Sequence, residues 1–411
     1  MTNNYQASST YLDKIQWLVS VGIFLSNRIE GLIVLFSAIL LCSHYNRIFK
    51  SKILPYFLLI STTSLFSIIY NNYDADKYFQ QILLIALFFF SYEQFFFYNK
   101  KNILPLFVKY LKISYYICCI GIIQELFYFF THINISESLP FYHSTQPINS
   151  FLIRISSILP EGGYLGTILI PTLVYAFYYN DKLNVLGLKK YIIMVVSLLT
   201  FSPFVYLILF IIFVKKLFSR YKFVKYVLFL SIVYILSIGG FVLADETSPK
   251  EKSGIQGVIM RISDSLAMGR ILFENNIDQI AELNTSNAVW ASNLYVALYA
   301  PSRFLGTGLG TNAQSHAKLI GESFNDERSF STLNLEDGYS LSNRLLSELG
   351  VFGFFLYLLF VYRSFNKANF MNVCMLSIII CWFLRGGSYV NFGTVFVHYF
   401  YYYTSKKTIC L

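Results

Sequence analysis

The chain has 411 residues, of which 55% are hydrophobic and only 13% charged, about half the charged share of an ordinary soluble domain. That balance excludes a soluble globular protein and leaves an all-α, polytopic membrane protein. The formal net charge of +10 would indicate a nucleic-acid surface only if the basic residues gathered on one soluble face. They are scattered over many short loops, so no nucleic-acid partner is expected.

In chain order, apolar runs of the length needed to cross roughly 30 Å of hydrocarbon predict spans near 15–27, 30–44, 53–71, 79–98, 107–131, 163–180, 189–202, 204–217, 223–243, 341–363, 369–385 and 389–404, about twelve in all. The first two are separated only by Asn27-Arg28-Ile29-Glu30-Gly31, which permits a tight hairpin or one broken helix. The pair around Ser202-Pro203 must turn within a few residues. Residues 1–10 are polar and uncharged, and no small-residue cleavage site follows the first apolar run, so no cleavable signal peptide is expected. Two polar stretches interrupt the ladder, a short one at 132–161 and a long one at 245–339. The organisation expected is therefore 1–243, about nine spans with an outer loop at 132–161; 244–340, a large extracytoplasmic loop; and 341–411, three last spans and a short cytoplasmic tail.

Charge sets the orientation. Alternate loops hold Arg47, Lys50 and Lys52; Lys100 and Lys101; Lys182, Lys189 and Lys190; Lys215, Lys216, Arg220, Lys222 and Lys225; Arg363 and Lys367; Lys406 and Lys407. Loops rich in Lys and Arg stay cytoplasmic. Both termini are then inside, and both polar stretches outside. Cys42, Cys118, Cys119, Cys374, Cys381 and Cys410 fall in spans or on the inner side, so no disulfide framework holds the outer face. Two glycosylation-like triplets, Asn134-Ile135-Ser136 and Asn284-Thr285-Ser286, are short enough to arise by chance. The 41 Phe and 33 Tyr fit interfacial belts and lipid-facing bulk, or for a minority a groove for a polyprenyl chain.

Four clusters of polar residues sit where spans meet the outer loops. Pro160, Gly162 and Gly163 break the helix around Glu161. This puts Arg154 just outside the membrane, where a guanidinium suits phosphate recognition or lipid headgroups; Glu161 is then a candidate acid-base group or a helix cap. In 257–273, Arg261 and Arg270 lie nine residues apart and point to opposite faces of any continuous helix, and Arg261 with Asp264 reads as a surface i,i+3 pair. Gly306-Thr307-Gly308-Leu309-Gly310 reads as a tight turn, with its amides available to an anion, and not as a nucleotide loop, which needs a strand before it and a helix after it. Arg344 and Glu348 share a helical face at the start of a span, where ionisable groups are paired or functional. Arg385-Gly386-Gly387 adds one more outward cation.

These clusters together resemble the O-antigen polymerases of the Wzy type, whose wider superfamily includes the O-antigen ligases. Arg154-x-Ser156-Ser157-x-x-Pro160-Glu161 is similar to that family's Arg-Ser-Glu-Pro segment, and Gly269-Arg270 to its Gly-Arg in the large outer loop. Gly306 to Gly310 is similar to its Gly-x-Gly-x-Gly, and Ser347-Glu348-Leu349-Gly350-Val351-Phe352-Gly353 to its Glu-x-Gly segment. The Pro160-Glu161 order is reversed from the family's. Asp337-Gly338-Tyr339 stands where the ligase branch carries a His.

The resemblance implies a glycosyltransferase at the outer face of a bacterial inner membrane, joining oligosaccharides linked to undecaprenyl diphosphate. Arg154 and Arg270 would bind the diphosphate. Glu161, Asp337 and His316, in that order, are candidates for the base, with Arg344, Glu348 and Arg385 as secondary residues. No cluster with metal-ligand spacing occurs, so neither a metal nor another cofactor is expected. The partners implied are the lipid-linked oligosaccharides, the bilayer and a chain-length-regulating membrane protein. A ligase-type transferase and a lipid-linked oligosaccharide flippase are the alternatives.

The orientation makes a direct prediction. Single cysteines at Ser253 and Ser331, in a background lacking the native cysteines, should react with an impermeant maleimide from outside, and cysteines at Lys216 and Lys406 should not. External labelling at 216, or protection at 331 in every state, would overturn it.

Overall fold

The computed structural model describes residues 2–44, 51–135, 152–220, 270–272, 274, 279–280, 283, 285–320, 335 and 338–406. Among them every regular element is a helix. In chain order these are α1 (Thr2–Gly22), α2 (Asn27–His44), α3 (Leu54–Tyr70), α4 (Asp76–Asn99), α5 (Ile103–Thr131), α6 (Gly162–Tyr178), α7 (Asn180–Leu183), α8 (Lys189–Leu199), α9 (Pro203–Arg220), α10 (Thr285–Tyr299), α11 (Asn312–Leu319), α12 (Leu341–Arg363), α13 (Phe370–Leu384) and α14 (Thr394–Ser405). The chain divides into two compact units. The first comprises Met1–Leu58, Ile82–Ile212 and Leu358–Leu411, and the second Leu59–Gln81 and Phe213–Tyr357.

Among the described residues four helices, α2, α4, α5 and α12, are long and apolar enough to cross a membrane. Of the others on predicted spans, α3, α6, α8, α13 and α14 are shorter, while α1 and α9 have 21 and 18 residues. At 1.5 Å per residue the 11 residues of α8 reach only about 16 Å, and the 12 of α14 about 18 Å, against roughly 30 Å of hydrocarbon. Helix α1 starts well before the apolar run expected at 15, because the polar residues ahead of it are helical too. Helix α14 starts at Thr394 and not near 389, because the chain before it turns with Phe392 and Gly393 at positive φ. The span expected at 223–243 lies outside the described residues.

In the first unit α1 packs on α2 and α5, α5 on α8, α6 on α8 and α13, and α13 on α14. The turns joining these helices fall into two groups. In one, Lys109 on α5 meets Asp13 on α1 at 2.5 Å, Gln16 donates to Asn99 Oδ1 at 2.7 Å, and Asn369 donates to Thr404 O at 2.9 Å. In the other, Asn27 donates to Asn391 Oδ1 at 2.6 Å, Gly393 N donates to Glu30 Oε2 at 3.0 Å, and Arg154 Nε donates to Thr200 O at 2.8 Å. The residues of the first group are ones that charge would assign to the inside, and those of the second to the outside. The aromatic clusters are less lipid-facing than their composition suggests. Tyr92, Phe95, Phe96, Phe107, Phe396 and Phe400 are fully buried, Phe96 stacks on Tyr399 and Tyr403, and Phe66, Tyr70 and Phe130 are exposed. Between helices in lipid, such ring packing replaces the hydrophobic effect as the adhesive term.

The second unit contains a folded core within what the sequence shows as a polar stretch. Ile271, Leu272, Ile280, Val289, Val296, Ile320 and Tyr339 are buried together. Helix α11 caps the turn after α3: Lys318 Nζ donates to Asn71 O and Asn72 O at 3.2 and 3.1 Å, and Gln314 and Asp74 exchange two hydrogen bonds. Helix α12 is broken at Gly350 (φ 65°, ψ −170°), and the segment 303–308 repairs the break. Thr307 N and Gly308 N donate to Ser347 O and Glu348 O at 2.9 and 2.8 Å, while Val351 N and Phe352 N donate to Arg303 O and Phe304 O at 2.9 and 3.1 Å. The backbones lie so close that a Cβ on Gly306 would strike the Glu348 carbonyl.

Gly306 combines that contact with φ +75°, whereas Gly187 has φ +49° with nothing within 4 Å of its Cβ position. Gly187→Ala should therefore cost only about 1 kcal/mol of left-handed strain. Gly306→Ala adds steric displacement of the α12 repair and should cost upward of about 3 kcal/mol. Thermal unfolding of both variants in detergent measures the difference, and equal melting temperatures would refute the repair.

Candidate functional site

In the first unit the chain from 152 to 160 is extended and held against two helices rather than being helical itself. Ile155 N donates to Leu199 O at 3.0 Å, at the end of α8. Gln124, buried on α5, accepts from Ser156 N at 3.2 Å and Ser157 N at 2.8 Å, and its Nε2 donates to Asn134 Oδ1 at 3.0 Å. Ser157, at φ 55°, donates through Oγ to Ile117 O at 2.9 Å. Pro160 then ends the segment and α6 begins at Gly162.

This arrangement presents Arg154, Glu161 and Arg385 at one end of the unit. Arg154 is half-buried, and its Nε is fixed on Thr200 O. Gly162 and Gly163 leave it room: a Cβ on Gly162 would meet Arg154 Cγ at 2.9 Å and Thr200 O at 3.0 Å, and one on Gly163 would meet an Arg154 Nη at 3.2 Å. Burial pushes the Arg154 guanidinium down from its usual range, the Glu161 carboxylate opposes that shift, and the Arg385 cation adds to it. Two guanidinium groups and one carboxylate thus act on one another, leaving an excess of one positive charge. Glu161 occupies the N-cap position of α6 in extended conformation (φ −143°, ψ 150°) and makes no capping hydrogen bond. Its place at the α6 N-terminus still sets its charge against the positive end of the helix dipole. Arg385 closes α13 at its C-cap, and Phe392 in the turn beyond packs on Tyr164 at 4.6 Å between ring centroids.

The remaining candidates lie in the second unit. Arg270 is exposed (80% of its side chain) and pairs with Glu274 at 2.8 Å, which raises its already high pKa. Arg344 and Glu348 form the i,i+4 pair at 3.3 Å with side chains 2% and 0% exposed, at the repaired break in α12. His316 on α11 is buried, and burial lowers it to about 4, so its imidazole is neutral at physiological pH. The amides of Thr307 and Gly308, which the sequence left open to an anion, are bonded to Ser347 and Glu348 carbonyls instead. Asp337, Arg261 and Asp264 lie outside the described residues. No group of three or more His, Cys, Asp or Glu able to hold a metal occurs among the described residues.

Sequence reasoning passed over Gln124, Thr200, Asn312 and Glu30. Asn312 accepts from Ser347 Oγ at 2.7 Å and donates to Leu335 O at 2.7 Å, and Glu30 accepts from Tyr92 OH at 2.6 Å. For Gln124, Thr200 and Glu30 the available signal was an isolated polar residue in or beside an apolar run, which is costly unless partnered; Asn312 stands in a polar stretch and gave no such signal. No protein-family profile and no curated protein sequence matches the chain.

His316 gives a pH test. Its folded pKa lies below the unfolded value near 6.5, so the unfolded chain binds the extra proton. The stability contribution is present above about 6.5 and is lost as pH falls toward about 4. Wild type should lose up to about 3 kcal/mol relative to His316→Gln over that window. Denaturant unfolding in detergent at pH 7 and pH 4.5 measures it, and parallel curves for the two proteins would contradict the burial.

Proposed function

We propose that the chain is an O-antigen polymerase: a glycosyltransferase that joins undecaprenyl-diphosphate-linked repeat units at the outer face of a bacterial inner membrane. It would have about twelve spans, cytoplasmic termini and a large periplasmic loop at 244–340. The ordered resemblance over about 150–390 supports this, and the observation that carries it is the Arg154, Arg385 and Glu161 group. A half-buried pair of cations with a single carboxylate is short of negative charge, and a diphosphate supplies it.

In this reading an acceptor hydroxyl oxygen attacks the anomeric carbon of the donor glycan. The new glycosidic bond forms as the bond to the diphosphate oxygen breaks, and undecaprenyl diphosphate leaves as an anion. Arg154 stabilises the charge developing on it with a guanidinium already oriented by Thr200, so little reorganisation accompanies the reaction. The hydroxyl proton passes to a carboxylate within hydrogen-bond reach. Glu161 is the first candidate because it stands at the helix break before α6 and its charge acts on Arg154, with Asp337 the second. Arg270, Arg344, Glu348 and His316 belong to the second unit, and of these Arg270 is the exposed cation suited to a lipid-linked anion. The energy comes from the substrate's own diphosphate linkage, which suits a face where nucleotide sugars are absent. A chain-length-regulating membrane protein is the partner this activity calls for.

Electrophoresis of surface glycans tests the reading. Deletion of the gene should leave single-repeat glycans. Bare core would indicate a ligase, and lipid-linked units accumulating inside would indicate a flippase. In the complemented strain Arg154→Ala should abolish chain extension with the protein still accumulating, and Arg154→Lys should rescue poorly because an ammonium does not reproduce the planar fork. Arg270→Ala should also abolish extension, and Arg261→Ala should be mild. Glu161→Gln should lower the rate by about 10²–10⁴, and near-normal chains in that variant would transfer the base role to Asp337.

A further inference from the structure

We propose that Gln124 is the positioning residue for Arg154: its amide holds the 152–160 segment on α5 and thereby sets where the guanidinium sits. This rests on the reading of Arg154 as the group that meets the diphosphate, and adds what fixes it there.

An extended segment between helices has backbone amides that must find partners, and in an apolar bundle water does not supply them. Two consecutive amides, Ser156 N and Ser157 N, both use one acceptor, Gln124 Oε1. The other end of the same amide donates to Asn134 Oδ1 and, at 3.4 Å, to Ser156 Oγ. Gln124 therefore joins three pieces: α5, the chain just beyond it at Asn134, and the segment that carries Arg154. It is 3% exposed, so its rotamer is set by packing. Close contact completes the seat, since a Cβ on Gly121, one turn earlier on α5, would meet Ile155 Cγ2 at 2.8 Å. Arg154 is anchored on its other side by Thr200 O and Ile155 N by Leu199 O, so the segment lies between α5 and the end of α8. Gln124 lies 32 positions before Ser156, whose amide donates to it, and it does not reach substrate in this scheme. Its role is exercised through Arg154.

The test uses the full chain in detergent and measures affinity for farnesyl diphosphate, alongside the melting temperature. Gln124→Met keeps the length of the side chain and removes both the acceptor and the donor. It should weaken binding on the order of tenfold or more, as misplacement of a positioned group does. Gln124→Glu keeps an acceptor for both amides and should bind within about threefold of wild type. Rescue by Glu and not by Met is a pattern that loss of packing alone does not produce. If Gln124→Met fails to accumulate, Ser157→Gly takes its place: it removes the Oγ bond to Ile117 O at a left-handed residue where glycine is at ease, and it should weaken binding in the same direction. Wild-type affinity in Gln124→Met or Ser157→Gly, with Arg154→Ala impaired, would overturn the positioning role alone. Equal losses in Gln124→Met and Gln124→Glu would do the same. Unchanged binding in Arg154→Ala would instead remove the site itself, and the role of Gln124 with it.

Discussion

Wherever a helix stops inside an apolar bundle, its backbone amides and carbonyls must be met by other protein groups, because each one left bare costs several kcal/mol. Two features of this fold are answers to that demand. At Gly350 the break in α12 frees carbonyls at 347 and 348 and amides at 351 and 352, and all four are taken up by residues 303–308. Between α5 and α6 the extended chain at 152–160 has its amides taken up by Gln124 and by Leu199. In each case the repair needs backbones or side chains in unusually close approach. Glycine at 306 and at 162 follows from that closeness.

The same economy explains the buried charges. Lys109 is met by Asp13 and Gln16, Glu93 by Ser51 Oγ and Lys52 N, and Glu30 by Tyr92 and Gly393 N. Every one has a partner of opposite charge or a short hydrogen bond, as the penalty for an ionised group in a low-dielectric interior requires. Lys109 thereby joins α5 to α1, and Glu93 joins α4 to the turn before α3.

Part of the helical framework was legible in the sequence because apolar runs and breaks are local signals, while α1, α8 and α14 depart from the runs expected. Asn369 before Phe370, with its side chain accepting from Met371 N, and Pro203 opening α9 are boundaries that propensity alone predicts. The i,i+4 pairing of Arg344 with Glu348 was legible for the same reason. The use of the glycine-rich loop was not: its meaning lies in residues forty positions away, and local pattern holds no record of that pairing. Nor was the burial of His316, which depends on tertiary packing around α11. The bracket made by Gln124 was half-legible. A glutamine next to Glu125 in an apolar helix signals that something must partner it, but the sequence does not say that the partner is the segment carrying Arg154.

The partners already held by each arginine separate the candidates for an anionic ligand. Arg344 is committed to Glu348 with both groups buried, and drawing it away would strand a carboxylate at a cost of roughly 3–5 kcal/mol. Arg270 is committed to Glu274 at the surface, where ion pairs are weak and exchange readily for a stronger anion. Arg154 bonds through Nε to a neutral carbonyl, and Arg385 opposes part of what Glu161 supplies to it. A diphosphate arriving there displaces no internal partner and relieves repulsion between two cations. Of Arg154, Arg270 and Arg344, Arg154 would gain such a ligand at least cost to the fold.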